Sequence, residues 1–257
     1  MRRHFLLLLV VILIFCSACS PNANVEDSDK LSDLESATPE TPFVPEIKAE
    51  VVESVFYTVP EYYNGIYAAA VIKNTGNVII EFDKYKCSFD VEDANGNFLL
   101  HIDNVTIEPQ VLGGENGFAY MAALDLQSDI DLSQCARIIA NIEYDSAYAI
   151  PIPIESLEIE DISFTEYSGH FYATPGRVVN HNQYDVDRIV PIIALYDRDD
   201  NFIGVNITSK SLNVKAGEKL GFSGESSAPL PLSAFSKEDL ETFNIIAVGS
   251  SYSELPQ

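Results

Sequence analysis

The sequence predicts an all-β protein of two tandem antiparallel β-sandwiches, preceded by an export segment and an acidic linker. The predicted sandwiches are residues 51–152 and 153–257, because Val51–Pro151 aligns with Glu155–Leu255 as an internal repeat of about 105 residues. Within each repeat, apolar and polar residues alternate with the period of two that is typical of strands, and turn residues separate the alternating runs. Apolar residues make up 47% of the chain, which supports packed cores rather than disorder.

Residues 1–18 have the order of a secretory signal peptide. Arg2 and Arg3 precede an apolar run from Phe5 to Phe15, and the small residues Ser17 and Ala18 follow it. The run is shorter than the roughly 20 apolar residues that a transmembrane helix needs. We therefore expect the rest of the chain to work outside the cytoplasm.

The segment Cys16-Ser17-Ala18-Cys19 resembles the lipobox of bacterial lipoproteins. It departs from that pattern at Cys16, where Leu or Val is usual. The resemblance implies that Cys19 carries the lipid and anchors the protein to the bacterial cell membrane; two acyl chains, at about 0.8 kcal/mol per buried methylene, hold a protein far more firmly than one. The alternative is an ordinary secretory signal that is cut near Ala18.

Residues 19–50 are predicted to be a flexible acidic tether. Acidic residues and four prolines dominate it, so like charges extend the segment, and its reach should exceed about 30 Å. The formal net charge of the whole chain is −24. Such a surface repels nucleic acid and favours cations or basic partner surfaces, although a high acidic content also serves solubility.

The two repeats share strands and turns at matching positions. Each carries a polar turn between apolar runs, typical of a β-hairpin, and an apolar strand that runs into an asparagine suited to a turn. The matching segments are 93–99 with 197–203, 71–74 with 177–180, Gly114-Glu115 with Gly217-Glu218, and 138–140 with 245–247.

Three segments carry more specific predictions. Tyr85, Cys87, Phe89 and Val91 alternate with polar residues, which predicts a half-buried strand. Residues 189–196 are apolar on both faces, so we expect this strand to be covered on both sides, with Pro191 at a strand edge or bulge. Residues 233–243 are predicted to be helical, with Ser236 as the capping residue.

The second repeat is similar to the FxLYD-type immunoglobulin-like module of bacterial cell-surface proteins. Leu195, Tyr196 and Asp197 match that motif, and Ile193 stands where the family usually has Phe. The first repeat departs further: it has Phe89, Val91, Glu92 and Asp93 at the equivalent positions. The resemblance implies two immunoglobulin-like sandwiches at the cell surface, and it implies no catalytic activity.

Two acidic hairpins are candidate calcium-binding loops. In each hairpin, acidic and amide side chains alternate as in an oxygen-rich loop: Asp93, Asn95 and Asn97 in one, Asp197, Asp199 and Asn201 in the other. The glycine and the bidentate glutamate of an EF-hand are missing. Because Asp, Asn and Gly are also the residues that tight turns need, the turn role is the main expectation.

Other chemistry is weakly represented in the sequence. His101, His170 and His181 have no paired spacing that predicts a metal site, and no nucleophile motif or phosphate loop is present, so no catalytic residue, metal or cofactor is predicted. Four tyrosines near the start of the first repeat are expected to pack in the sheets, with a recognition surface as the alternative. They are Tyr57, Tyr62, Tyr63 and Tyr67.

Cys87 and Cys135 both lie in the first repeat, and an extracytoplasmic location permits a disulfide between them. Cys87 shares the core-facing phase of its strand, whereas Cys135 is expected to precede a strand. Two separate thiols are therefore expected, with the disulfide as the alternative.

The sequence as a whole favours a lipid-anchored binding or spacer protein over an enzyme. Its expected partner is another protein or a component of the cell envelope. One alternative is a solute-binding lipoprotein that serves a transporter, although such proteins alternate strands and helices in two lobes. The other is a cell-envelope enzyme whose site lies between the repeats.

Overall fold

The computed structural model describes residues 44–59, 64–114, 117–125, 129–147, 149–151, 157–167, 170–174, 176–197, 199–208, 210–221, 230–231, 244–250 and 252–254. In these ranges the protein is all-β, with several antiparallel sheets and no α-helix, so the predicted class is confirmed. One turn of 3₁₀ helix covers Leu132–Gln134. No helix in these ranges is long and apolar enough to cross a membrane. The predicted signal peptide, most of the tether and the predicted helix at 233–243 lie outside the described residues.

The first ten strands of the described residues lie in the first repeat. They are β1 (Ala49–Val59), β2 (Gly65–Asn74), β3 (Ile80–Phe82), β4 (Ser88–Glu92), β5 (Phe98–Ile102), β6 (Thr106–Glu108), β7 (Val111–Leu112), β8 (Phe118–Asp125), β9 (Arg137–Asn141) and β10 (Tyr144–Ser146).

Twelve further strands follow within the described residues. They are β11 (Ala149–Pro151), β12 (Leu157–Glu160), β13 (Ser163–Tyr167), β14 (His170–Thr174), β15 (Arg177–Asn180), β16 (Val186–Tyr196), β17 (Phe202–Ile207), β18 (Leu212–Val214), β19 (Lys219–Gly221), β20 (Leu230–Pro231), β21 (Asn244–Ser250) and β22 (Tyr252–Glu254).

The first repeat is a sandwich-like arrangement of three sheets. A sheet in the order β1-β2-β8-β6 lies over two smaller ones, β10-β3-β7 and β5-β4-β9. Buried side chains from all three sheets pack into one core, to which Ile72, Ile80, Phe89 and Met121 contribute large, fully buried residues. Cys87, Phe89 and Val91 all lie in this core, so the predicted alternation of buried residues is confirmed for these three.

Tyr85 does not follow that alternation. The sequence predicts it as the first core-facing residue of the strand, but β4 begins at Ser88, and Tyr85 is 85% exposed. Residues 84–86 form a turn that is closed by the N–H groups of Lys86 and Cys87, which donate to the carbonyl of Asp83. The turn breaks the period of two, which a chain pattern alone does not reveal.

The second repeat is organised around the long strand β16. The largest sheet has the order β17-β16-β21-β12-β15-β19, and β18 also pairs with β16. A smaller sheet has the order β13-β14-β20. At the junction, β11 of the first repeat pairs with β22 at the end of the second, with Ala149 opposite Glu254.

Pro191 lies inside this sheet, so of its two predicted positions, a strand edge or a bulge, the edge is wrong. β16 runs between β17 and β21, and Pro191 is opposite Gly249 of β21. Proline is tolerated here because β16 changes partner on its other side at this point: β18 pairs as far as Ile189, and β17 begins to pair at Ile192. The missing N–H of proline therefore falls in the gap between the two partner strands.

The two repeats share a buried apolar core within the compact unit Val44–Gln257. The β1-β2-β8 sheet turns one face to the core of the first repeat and its other face to β16 and β17. Tyr67, Ala69 and Val71 lie on this second face, in one buried cluster with residues of β16 such as Ile192 and Ala194. The prediction that residues 189–196 are covered on both sides is confirmed for Ile192–Leu195, all of which are fully buried.

Polar groups at the edge of the second sheet are satisfied by side chains of the first repeat. β17 is an edge strand, and the Tyr67 hydroxyl accepts a hydrogen bond from the Val205 N–H (2.8 Å) and donates to the Val205 carbonyl (3.0 Å). The Tyr57 hydroxyl donates to the Ile203 carbonyl (3.0 Å), and Glu53 accepts from the N–H of Phe202 (3.0 Å). An edge that would otherwise stay open for strand pairing is thus closed.

Burial also determines the protonation state of these two tyrosine hydroxyls. Tyr67 is fully buried, and burial raises the pKa of its hydroxyl well above the usual value. Burial also raises the pKa of Tyr57 to about 12. Both hydroxyls therefore stay protonated and act as hydrogen-bonding groups rather than as acids or bases.

Each repeat has a buried asparagine whose side chain makes the same set of hydrogen bonds to the backbone. Asn74 donates from its side-chain amide to the carbonyls of Val78 (2.8 Å) and Gly113 (3.0 Å), and Asn180 donates to those of Tyr184 (2.9 Å) and Val214 (3.0 Å). Each also accepts from the backbone N–H two residues further on, at 3.0 Å and 2.9 Å respectively. The two asparagines that the alignment matched are therefore structural equivalents.

The folded part of the chain begins before the expected end of the tether at residue 50. β1 starts at Ala49, and Val44–Lys48 are held against the turn that follows β2. Gly76 and Asn77 donate to the carbonyls of Lys48 (3.0 Å) and Glu46 (3.1 Å). A Cβ at Gly76 would lie 2.2 Å from the Glu46 carbonyl oxygen, so this approach requires glycine.

We expect Tyr67→Phe to destabilise the protein by about 1–3 kcal/mol, because it leaves the buried N–H and carbonyl of Val205 without their partner. Urea unfolding followed by tyrosine fluorescence measures the change. The matched control is Tyr57→Phe, which removes one hydrogen bond at a half-buried position and should cost less. Equal stability of Tyr67→Phe and the wild type would show that the hydroxyl contributes nothing.

Candidate functional site

The candidate site is an open groove of about 460 Å³ on the first repeat. It runs along the outer face of β3 and β10 and is bounded by the turn that precedes β4. The residues that line it are Glu81, Phe82, Asp83, Lys84, Tyr85, Lys86, Gln110, Glu143, Tyr144, Asp145 and Ser146.

The carboxylates of the groove follow from the period of the two short strands. Along β3, Ile80 and Phe82 are buried in the core, so Glu81 between them faces outward. The register of β3 and β10 places Glu81 directly opposite Asp145. Like charges at directly opposed positions repel each other, so this wall of the groove has a negative potential that favours a cationic group.

The turn at 83–86 supplies the basic and aromatic side chains. The Asp83 carboxylate accepts the N–H of Tyr85 (3.2 Å) and forms an ion pair with Lys86 (2.9 Å). The hydrogen bond from Lys86 lowers the pKa of Asp83, and the same contact raises the pKa of Lys86. The Lys84 ammonium lies 5.3 Å from the centre of the Tyr85 ring, within the range of a cation–π contact.

Tyr144 connects the groove to the rest of the first repeat. Its hydroxyl accepts from the N–H of Ala49 (2.8 Å) and donates to the Ala49 carbonyl (3.2 Å), and its ring packs 6.1 Å from that of Phe82. This tyrosine closes the edge of β1 as Tyr67 closes the edge of β17. The wall of the groove is therefore rigidly attached to the N-terminal strand.

The groove has the composition of a noncovalent binding site. It offers paired carboxylates, two lysines and an exposed aromatic ring in an open concavity. Such groups suit recognition of a polar or cationic surface, with the Tyr85 ring as an apolar contact. The sequence did not predict this groove. The one local signal for it is the alternation of apolar and acidic residues from Ile80 to Asp83, which places the carboxylates on the outer face.

The acidic hairpins serve the turn role that the sequence favours. The Asp93 carboxylate accepts the N–H groups of Asn95 and Asn97, both at 2.8 Å, and the side-chain amide of Asn97 at 2.8 Å. Asp197 makes the same three contacts with Asp199 and Asn201, at 2.8, 2.9 and 2.8 Å. Both carboxylates are occupied by their own turns, and in the described ranges no cluster of three His, Cys, Asp or Glu residues could hold a metal ion.

The left-handed position of each hairpin also matches. Gly96 has φ of 84°, and Asp200, its equivalent in the second repeat, has φ of 63°. Aspartate tolerates this region better than most residues, since its short side chain bonds locally. The two hairpins are thus the same turn built with different residues.

Two of the histidines pair with single carboxylates. His101 Nδ1 lies 2.6 Å from Asp90, and His181 Nε2 lies 2.8 Å from Glu158, on exposed surfaces of different repeats. The side chain of His170 lies outside the described residues. The prediction that the histidines do not share a metal site stays a prediction.

The two cysteines are free thiols, and the strand register separates them. Cys87 directly precedes Ser88, which pairs with Asn141 at one end of the β4–β9 ladder. Cys135 precedes the other end of that ladder, where β9 begins at Arg137, as the sequence predicts. At about 3.3 Å per residue, their Cα atoms are roughly 20 Å apart, whereas a disulfide needs them within about 7 Å.

Three residues that carry predictions lie outside the described part of the chain. The lipid attachment residue Cys19 lies outside the described residues, as do Tyr62 and Tyr63. Tyr57 and Tyr67 pack between the repeats, which confirms the packing role for these two. A pair of edge-closing hydroxyls was not foreseen, because the sequence does not show which strand a tyrosine will meet.

Comparison with known proteins adds little to this site. No protein-family model matches the chain, and no curated protein matches it in sequence. Two solved structures from Bacteroides uniformis show a distant likeness: a calcium-binding mutant of beta-glucuronidase 2 (14% identity, TM-score 0.24) and a beta-glucuronidase (10% identity, TM-score 0.25). The matches cover 77% and 81% of this chain but only 27% and 32% of those proteins. The chain thus corresponds to less than a third of either enzyme.

The hairpin carboxylates predict a specific pH dependence. Hydrogen bonds, chiefly from the side chains of Asn97 and Asn201, hold the pKa values of Asp93 and Asp197 below the ordinary value of 3.8. Because the folded-state pKa is depressed, the stabilisation is present above pH 3.8 and is lost as the pH falls through the folded-state value. The double variant Asp93→Asn/Asp197→Asn should therefore melt below the wild type at pH 7.

Thermal unfolding across pH tests this expectation. The difference in melting temperature should shrink as the pH falls below 3.8 and should disappear below the depressed folded-state pKa, where the wild-type carboxylates are neutral in both states. The control Asp103→Asn/Asp199→Asn neutralises two exposed carboxylates for which the described contacts show no N–H donor. A difference that stays constant with pH, or that equals the control, would contradict the prediction.

Proposed function

We propose that the protein is a lipid-anchored, extracytoplasmic binding protein without catalytic activity, built of two tandem immunoglobulin-like sandwiches of the FxLYD type. The observation that carries the proposal is the buried core shared by the two repeats. It joins them into one compact unit, and the groove at Glu81–Lys86 lies on the first repeat rather than between two lobes. A compact unit of this kind suits docking or spacing at the cell surface.

The shared core weighs against both alternatives. A solute-binding protein that serves a transporter typically closes two lobes over its ligand, and a hinge of that type needs an interface that opens easily. Here Tyr67, Ile192 and Ala194 are fully buried between the repeats, and the hydroxyl of Tyr67 bonds across the interface. An enzyme with its site between the repeats would need a polar cavity where these apolar side chains pack.

The location rests on the signal that ends at Cys19. The resemblance of residues 16–19 to a lipobox supports a lipid on Cys19, and the acidic segment that follows supports a tether. The net charge of −24 repels anionic headgroups, so the folded part would stand away from the membrane surface. The groove would then face other proteins or the cell envelope.

The partner that suits the groove is a protein or cell-envelope component with a basic surface. The opposed carboxylates of Glu81 and Asp145 favour a cation, and Tyr85 offers an exposed ring beside them. The Tyr85 ring is 85% exposed, which leaves it accessible to an ammonium group of a partner, and it already holds that of Lys84 at 5.3 Å. Recognition would therefore combine charge with a cation–π contact.

We expect Cys19→Ser to release the protein from the membrane fraction into the soluble extracytoplasmic fraction, since the variant cannot carry the lipid. Fractionation of cells followed by immunoblotting measures the distribution. The control is Ser17→Ala, which keeps a small residue before the cleavage site and should leave the protein anchored. A Cys19→Ser protein that stays as tightly bound would show that the lipid is not the anchor.

We expect Tyr85→Ala to abolish capture of the partner while leaving the fold intact. Cross-linking of the full-length protein in its native membrane, followed by mass spectrometry, measures the capture. The matched control is Tyr184→Ala, which removes an exposed tyrosine from the second repeat. If the captured proteins are the same for the wild type and both variants, the groove is not the binding site.

A further inference from the structure

The internal repeat makes it possible to compare two edge strands that occupy the same position. β5 of the first repeat corresponds to β17 of the second. In both pairs the register shifts at the same point: Val91 opposes Leu100 and Glu92 opposes Phe98, just as Leu195 opposes Gly204 and Tyr196 opposes Phe202. Both strands are also the outermost members of their sheets.

The two edges differ in what covers them. On β17, the Val205 N–H and carbonyl and the Ile203 carbonyl point away from β16 and bond to Tyr67 and Tyr57. The equivalent groups on β5 are the N–H and carbonyl of His101 and the carbonyl of Leu99. In the part of the chain that the structure describes, no side chain donates to or accepts from them.

Exposure confirms the difference between the two edges. Phe202 is 6% exposed and packs 6.3 Å from the ring of Tyr120 in the first repeat. Its equivalent on β5, Phe98, is 61% exposed. An open edge with an exposed aromatic residue is a template for pairing with another strand.

The side chains beside the open edge indicate what kind of partner fits. The face of β16 that receives the first repeat includes Ile192 and Ala194, whereas the equivalent residues of β4 are Ser88 and Asp90. Asp90 bonds to His101 (2.6 Å) and to the Asn141 amide (2.7 Å), so the polar groups of this face already have partners within the first repeat. A second apolar sheet would not cover this polar face well, but a strand added in the plane of the sheet would leave these contacts in place.

We propose that β5 is a dimerisation edge, on which β5 of a second copy of this chain pairs antiparallel about a two-fold axis at Leu100. In that register Leu99 opposes His101 of the other copy. The outward N–H of each His101 then donates to the outward carbonyl of the opposite Leu99, so the edge is complementary to itself. The two three-stranded sheets become one continuous sheet of six strands.

β5 of a second copy supplies the hydrogen-bond donor and acceptor that this edge lacks, so no other molecule is needed. Each copy supplies both a donor and an acceptor at matching positions, and the exposed Phe98 lies opposite Ile102 of the other copy. The proposal does not depend on the groove or on the lipid anchor, because β5 lies on a different sheet from β3 and β10.

The test is a charge-swap experiment on the full-length protein in detergent, with sedimentation velocity over a range of concentrations. The wild type should show a concentration-dependent dimer. Leu99→Lys/His101→Lys places lysines opposite each other twice and should raise the dissociation constant about tenfold. Leu99→Glu/His101→Lys places opposite charges at the same pairs and should restore the dimer to the level of the wild type.

The matched control is Leu220→Lys/His181→Lys, which adds the same two charges to the second repeat, where Leu220 is exposed and His181 pairs with a carboxylate. Its dimer should be unchanged. Melting temperatures establish that all three variants are folded. A wild type that stays monomeric at every concentration would overturn the proposal, as would a dimer that both β5 variants weaken equally.

Discussion

The structure depends on one contact above the others, the insertion of the Tyr67 hydroxyl against both backbone groups of Val205. An edge strand buried in an apolar environment must have its N–H and carbonyl groups satisfied, because each orphaned group costs free energy. A single tyrosine hydroxyl meets both needs, since it donates one hydrogen bond and accepts another. It therefore allows β17 to be buried against a sheet face although no strand pairs with its outer edge. The apolar core around it, which includes Ala69, Ile193 and Leu195, could not close over an unsatisfied edge.

A second tyrosine hydroxyl satisfies the backbone groups of another edge strand in the same way. Tyr144 bonds to the N–H and carbonyl of Ala49 at the edge of β1, as Tyr67 does for Val205 at the edge of β17. Both tyrosines bring a large apolar ring into the packing and place the hydroxyl at its end, where the backbone needs it. Against this background, the open edge of β5 is an exception that distinguishes the first repeat from the second. Its polar face, with Asp90 and His101 in contact, differs from the apolar face that β16 turns to the first repeat.

Sequence reasoning predicted the parts of the fold that depend on local pattern. The period of two identified the strand that carries Phe89 and Val91, and the matched hairpins at Asp93 and Asp197 proved to be the same turn with the same hydrogen bonds. The pattern was misleading at Tyr85, because a turn interrupts the alternation there. The groove was not predicted, since its walls come from β3 and β10, which are more than sixty residues apart in the chain but hydrogen-bonded in the sheet.

The sequence by itself determined the all-β class, the two repeats and the positions of their hairpins, because these follow from side-chain period and from the backbone preferences of residues such as Gly96 and Asn97. Only the tertiary structure decided which faces and edges meet. A strand that is apolar on both faces must be covered twice, but its pattern does not name the covering surface, and a tyrosine does not reveal whose backbone it will bond. The separation of Cys87 from Cys135 is decided in the same way, by a register that exists only once β4 and β9 are paired. These properties belong to contacts between distant segments, and no local pattern of residues encodes them.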